Sequence, residues 1–507
     1  MRVTTWFGEA VGRFVTKGAA AAACVLSVVY AVVIMHFAIN VPVADEWTSV
    51  VPLVNSAIHG SLTFGELWVQ HFNESHLFIP NSIFAAVGVL GSFNTRILIA
   101  LSVIFQVASF GVVLGLFKSY LGRTLSVVPV VVVGLGWFGL GAIDNALWGF
   151  QLQLYLTQFF VILMLFFLLA GLKRQLRGIW PFVAAVLCAI AASLSTIQGL
   201  LAWPLGLLVL VWSATRLAPY RRNLLLWCGT AIIAIGVYFI GYNSALAHAG
   251  CFATSQECAA SYGLHHLGSV SVYVLALLGN IIPASDGRLI GGAKVYVPVH
   301  QVLGGVFLAA AIFVAIRSYQ QRRSGPASWV PVTLVIFGLL WDLSIAFGRV
   351  GEGIGTALGS HFVSPQILLF TGIVMSAFFE FHRMGTAGGV GAPERRATVG
   401  MLAAVGLLIT VTVVALSSQV GIENGRFDRG NDVLAARVLA NLNRLPRSAR
   451  SCDIDFTVDD GLLSVGEAAD EISKPLGYVR SDHLSLFQPN QYRHYRQLGP
   501  PVIARCL

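Results

Sequence analysis

Adjacent carboxylates, Asp45 and Glu46, followed by Trp47, open a polar interval that runs past His59 to His71, Asn73, Glu74, Ser75 and His76. The interval follows one long apolar run and precedes many more, so these groups stand at the mouth of a largely lipid-soluble chain. A carboxylate in that place has the chemistry of a general base acting on a hydroxyl, which requires it to come within hydrogen-bond reach of the proton removed. The competing reading is that Asp45 only caps the helix beginning nearby. His71, Glu74 and His76 offer donors for a metal or for sugar hydroxyls, but their spacing follows no zinc pattern.

Two other groups carry related chemistry. The segment from Asp144 and Asn145 through Trp148 to Gln151 combines amides, a carboxylate and an aromatic face. That set suits a hydroxyl-rich ligand, with Trp148 equally at home in an interfacial aromatic belt. Gln198 has the same two readings, whereas Trp203 reads as packing. The last group is Asp342, Arg349, Glu352 and His361. Asp342 falls inside an apolar run, where an ionisable group is costly and faces a partner or a cavity. Arg349 is the best-placed cation for an anionic phosphate. An internal Asp342–Arg349 ion pair is the alternative.

The elements that must position these groups are membrane helices. Of 507 residues, 56% are hydrophobic and 11% charged, and apolar runs of about 18 residues or more, enough to cross a hydrocarbon core as a helix, recur throughout. The expected class is an all-α polytopic membrane protein. The net charge of +9 sits in short clusters between apolar runs, where Lys and Arg orient spans, so a nucleic-acid partner is not expected.

Arg2, Arg13 and Lys17 precede the first run, placing the amino terminus inside and the Asp45 loop outside. Eleven spans satisfy both length and charge: 18–40, 96–117, 127–142, 149–172, 179–195, 199–212, 222–241, 300–317, 329–347, 362–381 and 399–417. The first is read as a retained helix rather than a cleaved signal. The Pro-interrupted segment 77–93 is expected to be a membrane-surface helix, and 269–284 a re-entrant one. The scheme gives a transmembrane domain over 1–418, with an external first loop at 41–96. The charged tail, 419–507, is expected to be a small external domain, and Gly385–Gly391 a cytoplasmic linker. Cys24, Cys188 and Cys228 fall in apolar runs. Cys251, Cys258, Cys452 and Cys506 fall on the outer side, where pairs 251–258 and 452–506 would suit an oxidising compartment.

The order of these motifs resembles bacterial GT-C type membrane glycosyltransferases. The resemblance rests on Asp45-Glu46-Trp47, on Trp68 through Phe78, on Asn145 through Gln151, on Gly199 through Pro204, and on Gly348-Arg349 followed by Ser360-His361-Phe362. It implies hexosyl or pentosyl transfer from a polyprenyl-phosphate donor to a glycan or glycolipid acceptor, outside a bacterial cytoplasmic membrane. It further implies Asp45 as base, with Glu46 as alternative, and Arg349 at the lipid phosphate. His361 stands where the resemblance leads one to expect arginine. Such enzymes divide on the use of a divalent cation, which the sequence leaves open, and no other cofactor is implied. A lipid-linked saccharide transporter and a polysaccharide polymerase are the rival readings. The transporter would be expected to show internal repeats with paired broken helices, and none is evident.

Overall fold

The computed structural model describes residues 15–43, 45–69, 75–173, 179–213, 217–242, 260–281, 293–322, 327–359, 362–386, 392–441, 453–454, 463–464 and 473–498. Apolar side chains without turn residues make long helices, and these dominate the chain. Helix α1 (Lys17–Phe37) begins at Thr16, whose hydroxyl accepts the Ala19 N–H. The excursion after α1 holds a π turn (Glu46–Val50), α2 (Val51–Ile58), α3 (Phe64–Trp68) and α4 (Phe78–Gly91). The bundle continues with α5 (Thr95–Leu121), α6 (Val127–Trp137), α7 (Ile143–Leu147), α8 (Leu152–Lys173), α9 (Ile179–Ser193), α10 (Ala202–Ser213) and α11 (Leu217–Tyr238). Next come α12 (Ala260–His265), α13 (Leu267–Gly279), α14 (Ala293–Gln320), α15 (Val330–Arg349), α16 (Ser364–Thr386) and α17 (Ala392–Ala440). A two-stranded antiparallel pair, β1 (Asp453–Ile454) and β2 (Leu463–Ser464), precedes α18 (Ser473–Ser481) and α19 (Pro489–Gln497).

Among the described residues, seven helical stretches are long and apolar enough to cross a membrane: Lys17–Phe37, Thr95–Leu121, Val127–Leu147, Gly149–Lys173, Val297–Gln320, Val330–Glu352 and Ser364–Arg383. The protein is therefore all-α and polytopic. The remaining four expected spans fall in α9, α10, α11 and α17. Helices α9 and α10 are shorter than a full crossing.

Three features refine the expected plan. The 127–142 span is broken: α6 ends at Trp137, and a 3-10 turn leads into α7. Helices α4 and α13, of 14 and 13 residues, reach only about 20 Å at 1.5 Å per residue and cannot cross alone. Helix α13 instead lies against α14 at backbone contact, since a Cβ on Gly304 would stand 1.9 Å from the Leu275 carbonyl oxygen. The third is α17, which runs unbroken through position 419 for 49 residues, about 73 Å. The expected start of a separate tail is thus mid-helix.

Among the described residues, two cores organise the packing. The larger joins the bundle helices, with Phe110, Phe117, Trp137, Trp203, Tyr273 and Phe337 among its fully buried rings. The smaller draws Trp47, Val54, Phe84 and Phe150 together with Ala435, Ala436 and Leu439 of α17 and with Val479 and Leu486 of the carboxy-terminal segment. Asn40 clasps that segment to the bundle. Its Oδ1 accepts the Thr95 N–H at 2.9 Å and the Ser485 hydroxyl at 3.3 Å, and its amide donates to Gln491 at 3.0 Å. Ser485 also donates its N–H to the Ser92 carbonyl at 3.0 Å. Both residues hold left-handed backbone, at φ 48° and 49°, a conformation that persists only where the surroundings enforce it.

The two ends of the bundle differ in charge. Lys173 meets Ser119, and Arg317 and Arg383 meet Glu380, at the end opposite the Asp45 excursion. The loops carrying Asp45, Asp144 and Gln198 meet at the other end, here termed the mouth.

Candidate functional site

The mouth is built around Glu46. Its Oε2 accepts the Val43 N–H at 3.0 Å and its Oε1 accepts the Phe150 N–H at 2.9 Å, which ties the Asp45 loop to the turn after α7. The side chain is buried, and the fit is tight: a Cβ on Gly149 would lie 2.7 Å from Oε1 and 3.0 Å from Leu98 Cβ. Glycine is required there. Burial pushes the Glu46 carboxyl up to about 8, opposed by the two backbone N–H bonds and reinforced by the nearby charges of Asp432 and Asp45.

Asp45 precedes the π turn, and its side chain makes no capping bond to it. The capping alternative therefore fails. Asp45 is half-buried, while Trp47 is inside the smaller core. His76 is buried, with Nδ1 2.6 Å from the Trp68 carbonyl oxygen and its ring stacked on Trp68 at 5.0 Å. A carbonyl only accepts, so Nδ1 carries the proton. The Tyr238 hydroxyl accepts the His76 backbone N–H at 3.1 Å, fixing the excursion to the end of α11. His71, Asn73 and Glu74 lie outside the described residues, as do His361 and all four cysteines of the expected disulfides, Cys251, Cys258, Cys452 and Cys506.

The second group converges on the same end. Asp144 Oδ2 accepts from Asn424 of α17 at 3.3 Å. Asn145 is buried and donates to Ser364 Oγ at 3.2 Å, a structural contact between α7 and α16. Trp148 is half-buried, 5.9 Å from Phe150, and its buried Nε1–H has no acceptor among the described residues. Gln151 is buried in the turn that Glu46 holds. Gln198 is half-buried in the 3-10 turn after α9, and the neighbouring Ile197 N–H donates to Ser75 Oγ at 3.0 Å. Trp203 is packing, as expected, with Nε1 donating to Ser193 Oγ at 3.0 Å.

The third group separates into two. Asp342 is fully buried and its Oδ1 accepts from Gln366 Nε2 at 2.9 Å, while the same Nε2 donates to the Leu277 carbonyl at 2.9 Å. This knot joins α13, α15 and α16. Arg349 instead pairs with Glu352 at 3.1 Å. The Asp342–Arg349 ion pair is thus corrected: Glu352, one turn beyond Arg349, is the nearer carboxylate. Tyr273 and Thr356, whose hydroxyls lie 2.8 Å apart, complete the surroundings of that pair.

The residues that hydropathy does not reveal lie on α17 past the expected span. There the helix brings Asn424 to Asp144, Arg429 to the His36 carbonyl at 2.5 Å, and Asp432 to the neighbourhood of Glu46. The usable signal was the spacing of Asn424, Asp428 and Asp432, four residues apart on one helix face. Among the described residues, no three His, Cys, Asp or Glu side chains are placed to hold a metal ion.

No family model matches the chain, and no curated protein matches its sequence. Solved structures of similar shape include the oligosaccharyltransferase AglB of Archaeoglobus fulgidus in complex with an inhibitory peptide and a dolichol-phosphate. It aligns at 12% identity and a TM-score of 0.46 over 87% of this chain and 61% of its own. An Archaeoglobus fulgidus oligosaccharyltransferase tethered to an acceptor peptide with an NVT sequon aligns at 14% identity and 0.44, over 82% and 57%. ArnT of Cupriavidus metallidurans bound to undecaprenyl phosphate aligns at 13% and 0.42, over 96% and 89%. The chain spans less than two thirds of the length of the two archaeal structures.

Proposed function

We propose that this protein is a membrane glycosyltransferase that moves a sugar from a polyprenyl-phosphate donor to a glycan or glycolipid hydroxyl at the outer face of a bacterial cytoplasmic membrane. The observation that carries the reading is the mouth itself. A half-buried carboxylate, Asp45, stands at the end of an apolar bundle on the loop that its neighbour Glu46 ties to the turn after α7, both Glu46 oxygens being taken by backbone N–H groups. The motif resemblance points to the same chemistry.

In this reading Asp45 takes the proton of an acceptor hydroxyl as its oxygen attacks the anomeric carbon. The bond from that carbon to the phosphate oxygen breaks, and polyprenyl phosphate leaves with the bonding pair. Arg349 stabilises the charge on the departing phosphate, exchanging part of its pairing with Glu352 for that oxygen. Glu46 is left as the strut that fixes the Asp45 loop. The exposed apolar faces of α1, α11 and α14 offer the prenyl chain a surface continuous with the bilayer.

The test is transfer of labelled sugar from a set of polyprenyl-phosphate sugars to cell-envelope glycans, in membranes holding native protein or Asp45→Asn at equal level. Transfer that collapses in the variant supports the reading. Equal transfer by both removes Asp45 from the role of base. Absence of transfer from every donor favours the transporter or polymerase.

A further inference from the structure

Asp432 is a carboxylate that the proposed reaction does not yet use. It belongs to the part of α17 beyond the apolar stretch, on a stripe formed by Asn424, Asp428, Asp432, Ala435, Ala436 and Leu439, at spacings that share one helix face. Both flanks of this stripe are fixed. Asn424 donates to Asp144, and Ala435, Ala436 and Leu439 pack in the same core as Trp47. Between those two anchors, both along the helix and around it, stands Asp432, and its charge is felt at Glu46.

The surrounding groups do not satisfy it. Arg429, one turn earlier, donates to the His36 carbonyl, and Arg96 lies 3.5 Å from the Met35 carbonyl oxygen. Tyr495 of α19 is within electrostatic range of Asp432, Arg429 and Arg96. Among the described residues Asp432 has neither a hydrogen bond nor an ion pair. Part of its surface stays open, yet the protein crowds it enough to push its carboxyl up to about 7. Neither of its oxygens is sealed from solvent, so water holds them until a ligand with better-placed donors displaces it. A hydroxyl-rich ligand in the mouth supplies donors that the protein withholds.

We propose that Asp432 is a sugar-binding residue, accepting a hydrogen bond from a hydroxyl of the sugar that reacts beside Asp45. The assignment rests on the glycosyl-transfer reading. It gives the mouth two walls from opposite ends of the chain: the base on the first loop, and a hydroxyl acceptor on the last long helix.

Two measurements test it. The first is steady-state transfer by Asp432→Ala. A charged hydrogen bond is worth roughly tenfold or more in binding, so KM should rise by about that factor while kcat changes little and the thermal midpoint does not fall. An unchanged KM, or a loss accounted for by a lower midpoint, overturns the assignment. The second needs no turnover. Native protein in lipid nanodiscs is treated with a water-soluble carbodiimide and glycinamide, and modified carboxyls are mapped by mass spectrometry. Asp432 should be modified and Glu46 spared, with polyprenyl-phosphate glucose or ribose protecting Asp432 and undecaprenyl phosphate alone leaving it reactive. No modification of Asp432, or no protection specific to the sugar-bearing lipids, overturns the assignment. Protection without transfer by native protein would uphold sugar binding at Asp432 while refuting the transferase reading.

Discussion

The two ends of the bundle handle charge in opposite ways. At the basic end Glu380 takes Arg317 at 2.6 Å, Arg383 at 3.4 Å and the Gln321 amide at 2.7 Å, and Gln321 in turn accepts from Tyr120 at 3.1 Å. Every member of that network has a partner of opposite character. At the mouth, Glu46 is held by neutral backbone donors, and Asp432 has no ion pair among the described residues. A network that serves only to join helices can satisfy itself. A site that must receive a ligand keeps some of its capacity open.

Variants can break this contrast. The largest effect is expected for Asp45→Asn, which should lower transfer by roughly 10²–10⁴-fold, the span typical of removing a general base, with an unchanged thermal midpoint. A drop of similar size from Glu380→Gln would erase the distinction between the ends. That variant should instead cost about 1–3 kcal/mol of stability, discounted because Arg383 is largely exposed, and leave transfer per folded molecule intact.

Next in size is Gly149→Ala, in which the added methyl collides with Glu46 Oε1 and Leu98. It should reduce kcat with little change in KM for donor, although no ionisable group is altered. Native kcat in this variant would show that the strut does not position Asp45. Stability against pH sharpens the same point. Glu46 holds its proton to about 8 when folded, against 4.5 as its ordinary value. Its contribution is therefore fully present below the ordinary value and declines as pH rises towards about 8. Asp432 adds the same sign up to about 7. The thermal midpoint should fall across that window, less steeply in Glu46→Gln. The smallest effect is expected for Asp342→Asn, which retains an acceptor for Gln366: under about 1 kcal/mol and no loss of transfer. Abolished transfer with intact folding would move Asp342 from the helix-joining class to the working one.

Much of the mouth was legible in the sequence. Hydropathy located the helices, and the residue types at 45–47, 144–151 and 198 marked loops that do meet at one end. The failures have specific causes. Hydropathy reports contact with lipid, so it ended the last span near Ser417, although α17 continues as a polar helix packed on the smaller core. The residue type of Glu46 makes it the alternative base, and says nothing of the backbone N–H groups of Val43 and Phe150 that its oxygens accept. The alternative pairing of Asp342 with Arg349 rests on proximity in sequence, whereas helix register sends Asp342 to Gln366, 24 residues on.

The clasp at Asn40 has a consequence for biogenesis. The excursion that begins after Asn40 is closed by Thr95, Ser485 and Gln491 together, so this loop does not reach its final shape until the segment around Ser485 has been made and packed. Contacts of such long sequence separation form late. A nascent chain whose earlier helices are already threaded through the membrane would thus carry an unassembled mouth until that segment docks.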